Sequence, residues 1–440
     1  MKLNYDIFAS VMEYLYRNDL LYMMCTCRTL FNIGIPLFLR ELDIITSPSW
    51  AETPRLKLYR SLFLENLARI SDVTSITGTY LTFLDAHGLP EDYPPGIFTQ
   101  CRLFPPQCRL PNCLQYFSHL RALDMSMDEY EITPAFQQWI LSLTQLRELR
   151  LRRVGQQSRL LDDLLQGLRA GIEMVHIGRV ASHGVGSSIE PVLALQNVAH
   201  TLTALTVEWH DLFVGPRISR PHTTVRLANV LELTWVSNQA VDAALLAWTF
   251  PQLRVLRVGD ILMDGPKARD VRGITGEHML ALREHHVAQQ GQAALFESLE
   301  SLTGNVLSLW TLGLKCPVTR VETAIRLWEH AKVGHLIVLL HDTAPKHLVL
   351  TTYPVHLKEL YRVINFASLE AFELRIDVID ETDVLATLVR YVLPLLLLLG
   401  IDSRRRKASS IRSTNLTFVG SQLSCGLSRP LWRAARTAVA

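Results

Sequence analysis

Cys101, Cys108 and Cys113 fall within one short stretch, and thiolate ligation of zinc is the chemistry they suggest. Cysteine zinc sites favour pairs separated by two to four residues. Only Cys108 and Cys113 meet that spacing, with His87 and His119 as the nearest imidazoles. Pro105, Pro106 and Pro111 lie among them, so loop thiols are the expected reading, with no metal and no cofactor. Glu277-His278 and Glu284-His285-His286 repeat an acid–imidazole pair along one helical stretch. Di-metal carboxylate bundles place Glu-x-x-His on two separate helices, so a solvated polar face is expected here. Gly184-Val185-Gly186-Ser187-Ser188 lacks the third glycine of a dinucleotide loop. The chain contains no Gly-x-Ser-x-Gly elbow, no phosphate loop and no His-Glu-x-x-His helix, so no catalytic residue is assigned and an enzyme is not expected. Arg404-Arg405-Arg406-Lys407 before Ser409 and Ser410 fits a nuclear-import patch or a kinase site, but such short basic runs are usually solvated tail.

The elements that would position any site follow from composition and period. The 440 residues carry 44 Lys+Arg and 42 Asp+Glu, and 48% are hydrophobic. Leucine alone is about 17%, which excludes disorder for the bulk of the chain. The near-neutral balance excludes a whole-chain nucleic-acid binder. Its distribution is uneven: residues 401–440 carry +7 and the first 400 carry −5. Seven cysteines, an odd number, argue against a disulfide framework. Asp6, Glu13, Arg17 and Asp19 interrupt any secretory apolar core, and the apolar run Tyr391 to Ile401 is too short to span a bilayer. A soluble cytoplasmic or nuclear protein is expected, in which Asn415-Leu416-Thr417 is a chance sequon.

From residue 114 a frame of apolar-x-x-apolar-x-apolar recurs. It stands at Leu120-Leu123-Met125, Leu146-Leu149-Leu151, Ile172-Val175-Ile177, Leu202-Leu205-Val207, Val230-Leu233-Trp235 and Leu253-Leu256-Val258. The mean interval is about 27 residues, the length of one strand, one helix and two turns, and lies within the leucine-rich-repeat range. Helical stretches such as Pro134 to Leu143 and Ser158 to Ala170 fill the gaps. Further frames at Val306-Leu309 and Leu369-Phe372-Leu374 follow a longer helix near Glu277 to Glu300. Each unit buries its apolar face only by stacking on its neighbours. The expected fold class is therefore α/β, a leucine-rich-repeat-like solenoid with parallel strands.

Successive strand residues point to opposite faces. If frame residues point inward, Asp124, Arg150, His176, Thr206, Thr234 and Arg257 form one outward column. Glu148, Arg152 and Glu208 widen it into a mixed-charge strip. That strip suits a protein partner rather than nucleic acid, with Arg150 and Arg257 as the leading contact residues.

Residues 3–42 are helical in pattern. Ile7, Val11 and Leu15 form a stripe, Asn4 suits an N-cap, and Asn18-Asp19 restarts a second helix. Gly34 is expected to end a third stretch, and Pro36 to open a short helix through Leu42. So small a piece buries little of its own apolar surface and calls for a partner. The segment resembles the F-box, whose pattern runs Leu-Pro-x-acid-Ile/Leu, then spaced aliphatics, then Asp-Leu-Leu and Cys-Arg-x-Trp. Matching residues are Leu3, Asp6, Ile7, Val11, Leu15, Asp19-Leu20-Leu21 and Cys27-Arg28, with Asn4 and Leu30 in place of the usual proline and tryptophan. The stretch from Asp19 to Arg40, through Gly34, Pro36, Leu37 and Leu39, is especially similar to F-box proteins of mushroom-type fungi.

That resemblance implies the substrate-receptor subunit of an SCF-type ubiquitin ligase. Leu3, Ile7, Val11, Leu15, Asp19, Leu20 and Leu21 would dock on a Skp-type adaptor carried by a cullin. Asp124, Glu148, Arg150, Arg152, His176, Glu208 and Arg257 are candidates for binding a protein substrate. The expected divisions are 1–44, the F-box-like helical module; 45–113, a linker and proline-rich segment; 114–391, the degenerate repeats; and 392–440, a basic, poorly ordered tail. The alternative is a repeat scaffold outside any ligase, with residues 1–44 as the cap that repeat arrays require.

Overall fold

The computed structural model describes residues 5–44, 74–79, 119–127, 132, 134–154, 159–179, 191–208, 225–236, 243–259, 276–290, 296–325, 332–353, 356, 359–360, 369–377 and 413–419. Elements are numbered among these residues. Leu3, Asn4, the cysteines at 101, 108 and 113, the glycine loop at 184–188, the apolar run at 391–401 and the basic run at 404–407 lie outside them, as do the side chains of Asp6 and Leu21. The chain divides into two compact units, Met1–Val230 and Leu231–Ala440.

The first unit opens with three helices, α1 (Tyr5–Glu13), α2 (Arg17–Met24) and α3 (Arg28–Arg40). Met12, Leu20, Met24, Leu30 and Ile35 make their small core. Gly34 does not end a helix, as its type suggested; α3 runs through it and through Pro36. Packing is the reason. A Cβ on Gly34 would stand 2.3 Å from Met24 Cγ and 2.7 Å from Met12 Cε, so the glycine lets the helices approach.

Six strands follow: β1 (Glu41–Ile44), β2 (Ser75–Thr79), β3 (Ala122–Ser126), β4 (Glu148–Val154), β5 (Met174–Arg179) and β6 (Ala204–Glu208). Each pairs in parallel with the next, in chain order. β1 and β2 lie in segments expected to be helical module and linker. Helices α4 (Pro134–Ser142), α5 (Arg159–Gly167) and α6 (Pro191–Ala194) connect the later strands. Pro134 sits at the first position of α4, where no backbone N–H is needed. In α5, Leu161, Leu164 and Leu165 are buried while Asp163 and Gln166 face solvent, which is the stripe a one-sided helix needs. Backbone contacts repeat with the period: the Arg121 carbonyl accepts from Arg147 N at 2.8 Å, and the Arg147 carbonyl from Glu173 N at 2.8 Å.

The second unit holds β7 (Glu232–Val236), β8 (Val255–Gly259), β9 (Leu299–Asn305), β10 (Val318–Ala324), β11 (His347–Thr352), β12 (Ala371–Asp377) and β13 (Ser413–Val419), again parallel and in chain order. Its described helices are α7 (Ala243–Thr249), α8 (Gly276–Gln290), α9 (Val306–Leu312) and α10 (Lys332–Thr343). Every residue of the six main frames is buried in its unit.

Three expectations are corrected in this unit. Val306-Leu309 belongs to a helix, because apolar spacing of three fits a helix as well as a strand frame. Asn305 caps that helix by accepting from Ser308 N at 2.7 Å, and Gly313 closes it in the left-handed conformation at φ 60°. The basic tail contributes β13, where Leu416 and Phe418 align with Leu374 and Ile376. The helix expected to reach Glu300 ends at Gln290, and its acid–imidazole face is only partly solvated. Glu284 and His285 are exposed, but His286 is buried with Nδ1 2.9 Å from the Thr311 carbonyl. The fold is α/β and solenoid-like in each unit. Among the described residues, no helix is long and apolar enough to cross a membrane.

Candidate functional site

Strand alternation builds the site. In the first unit Leu123, Leu149, Val175 and Leu205 share one register and point into the core. Asp124, Arg150, His176 and Thr206 share the next register and point the other way, so the expected outward column is present across β3 to β6. Thr234 and Arg257 are likewise paired and outward-facing in the second unit.

Cross-strand charge pairing organises this face. Asp124 ion-pairs with Arg152 and lies 3.8 Å from Arg150. Arg150 also meets Glu148 at 3.2 Å and directs an N–H toward the Met174 sulfur at 3.3 Å. Arg152 continues the outward alternation of Glu148 and Arg150 and pairs in register with Ser126, and the irregularity in β4 comes after it. Register shifts between Leu151 and Val154, Arg153 takes a left-handed φ of 55°, and Arg152 and Arg153 both face solvent before Val154 returns to the core. A bulge of this kind re-aims side chains that simple alternation would turn inward.

His176 Nε2 stands 3.4 Å from Glu208 Oε1, an ion-pair distance without regular hydrogen-bond alignment. Contact with the His176 imidazole holds the Glu208 carboxyl below the usual carboxylate range. Partial burial opposes that shift, and the charges of His176 and Arg152 add to it. Gly178 lies beside Glu208, and a Cβ there would be 3.1 Å from Glu208 Oε2. On the same face lies a cleft of about 440 Å³ lined by Arg150, Arg152, Met174, His176, Thr206 and Glu208. Met174 and Gly178 were not among the expected site residues. Both lie two residues from His176 on the same face, and that spacing was the available signal.

The face of the second unit is also zipped by ion pairs. Arg257 meets Glu232 at 3.3 Å, and Arg375 meets Glu322 at 2.7 Å and Glu373 at 2.8 Å. The bond to Glu373 is the main cause that raises the Arg375 guanidinium above its ordinary value, with burial opposing and Glu322 adding to it. The two arginines expected as leading contacts, Arg150 and Arg257, are thus both held by neighbouring carboxylates.

On the helical module Ile7 is 60% exposed and Val11 44% exposed, with Leu15 half-buried and Asp19 exposed. Leu20 is only 5% exposed and serves the module's own core rather than an outer surface. Tyr14, Tyr16 and Tyr22, absent from the expected set, extend the exposed aromatic and aliphatic surface. Compared with known proteins, the chain matches no family model and no curated protein.

Proposed function

We propose that this chain is a substrate-recognition subunit of an SCF-type ubiquitin ligase, with α1–α3 acting as an F-box that docks on a Skp-type adaptor and cullin core. The strands of the first unit act as leucine-rich repeats that hold a protein substrate. The observation that carries the reading is the outer surface of α1, where Ile7 and Val11 stay exposed while Met12, Leu20, Met24, Leu30 and Ile35 are packed inside the module. Contiguous apolar surface of this kind marks a protein contact, since leaving it in water forfeits about 25 cal/mol per Å². The strand face complements it: parallel strands hold charged side chains in a rigid array, which lowers the ordering cost of binding. The chain's role is binding and presentation, with transfer chemistry left to other subunits, in the cytoplasm or nucleus.

A second reading is favoured by one feature. α3 ends at Arg40 and β1 begins at Glu41, so the helical module leads directly into the edge strand of the sheet. That continuity suits a cap on a repeat scaffold outside any ligase. Co-purification with a Skp-type adaptor separates the two. The ligase reading expects the wild-type chain to capture the adaptor and the variant V11D/L15D to lose it, because charge enters an apolar contact. No capture by wild type, or equal capture by the variant, would sink the ligase reading.

A further inference from the structure

We propose that the cleft on the strand face of the first unit receives one cationic side chain, lysine or arginine, of a protein partner, with the Glu208 carboxylate as its counter-ion. This inference rests on that face being a partner-binding surface and is independent of adaptor docking by α1–α3.

Charge bookkeeping around the cleft decides the sign of the ligand. Asp124, Glu148 and Glu208 bring three carboxylates against the two guanidiniums of Arg150 and Arg152. Both guanidiniums are already engaged, Arg152 by Asp124 and Arg150 by Glu148 at 3.2 Å. An incoming phosphate or carboxylate would have to displace a carboxylate that is in place. Glu208 differs: among the described residues its ion-pairing neighbour is the His176 imidazole, which is charged only when protonated. A cation arriving beside Glu208 therefore competes with the His176 imidazole rather than with a guanidinium paired at contact distance, although the Arg152 charge also reaches this carboxylate. Because the carboxylate is partly buried, the pairing is screened less than at an open surface.

Shape and surroundings agree with a long basic side chain. Gly178 leaves room for the carboxylate that lines the cleft, since a Cβ there would crowd Glu208 Oε2 at 3.1 Å. The Met174 thioether and the Thr206 methyl line the same cleft and suit an aliphatic stem. The Thr206 hydroxyl adds an acceptor for an ammonium or guanidinium N–H. The cleft, about 440 Å³, takes a side chain and its flanking backbone rather than a helix.

The test is selection of random peptides displayed on phage by the full-length chain, by E208Q, and by E300Q as a control in the second unit. Wild type and E300Q should enrich peptides that share one lysine or arginine position. A synthetic peptide from that pool should bind E208Q about tenfold or more weakly, as expected for loss of a partly desolvated charge pair. The charge-preserving variant E208D should retain part of the affinity, which separates charge from a folding defect. Enrichment of acidic peptides would overturn the proposal in favour of an anion site. No enrichment, or basic peptides that bind E208Q equally well, would also overturn it. Adaptor capture is scored separately, so failed capture with intact peptide selection removes the ligase reading alone.

Discussion

The Arg283 guanidinium lies over the indole of Trp310, 5.0 Å from the ring centroid, while donating to the Trp310 carbonyl and to Asp342. One side chain thereby ties α8, α9 and α10 together. Both members of the Arg283–Asp342 pair are nearly buried, with side chains 10% and 11% exposed. Trp310 in turn meets the His335 ring edge-on at 4.1 Å between centroids.

Arg283→Ala should therefore destabilise the second unit by about 3 kcal/mol, because it leaves the nearly buried Asp342 carboxylate with the exposed His341 ring, 3.3 Å away, in place of its guanidinium partner. The double variant R283M/D342L should recover most of that loss, since apolar side chains of similar volume replace the whole pair. Urea unfolding followed by Trp fluorescence gives the comparison. A single variant as stable as wild type would show that the pair contributes nothing.

Gly34→Ala should destabilise the helical module by about 1 to 3 kcal/mol through overpacking against α2. The Cβ would fall 2.3 Å from Met24 Cγ, so shortening the neighbour with Met24→Ala should relieve much of the clash. A double-mutant cycle of thermal unfolding measures this coupling. Strictly additive losses would place the conflict elsewhere.

Acid should weaken the first unit partly through Glu208. Its carboxyl titrates below the ordinary 4.5 in the folded chain, so folding favours the ionised form. The resulting stabilisation is fully present above 4.5 and fades as pH falls through the lower folded value. Glu208→Gln removes it. The stability gap between wild type and this variant should be largest near neutrality and close as pH falls below the ordinary carboxylate value of 4.5, read from urea midpoints; a constant gap would contradict the sign.

Much of this architecture was legible because full aliphatic frames leave little choice. Leu146, Leu149 and Leu151 can be buried together only if the strand turns Arg150 outward. Strands were missed where the frame is broken. β9 has Gly304 at the third frame position, where a Cβ would come 2.6 Å from the Val258 carbonyl, and β10 has Thr323 there. Neither glycine nor threonine signals an apolar core to a pattern search. The outward residues of the site were legible from alternation alone. Their pairings were not, because the Asp124–Arg152 contact depends on the cross-strand register of β3 and β4. The inward turn of Arg283 and His286 was hidden for a related reason: polar residues on α8 read as solvated until Trp310, Thr311 and Asp342 supply their partners.

Chain order and sheet order coincide within each unit, and this bears on synthesis. β4 docks on β3, and β5 on β4, each 26 residues further along the chain. No strand in these pairs waits for a segment made much later, so a nascent chain can add each strand to the sheet soon after it clears the ribosome. The growing edge offers unpaired backbone only until the next strand arrives, which limits the interval in which it can capture another chain. The same order makes the array tolerant of tandem duplication. A copied 26-residue unit would extend the sheet by one strand without rethreading any other, lengthening the charged face in regular steps.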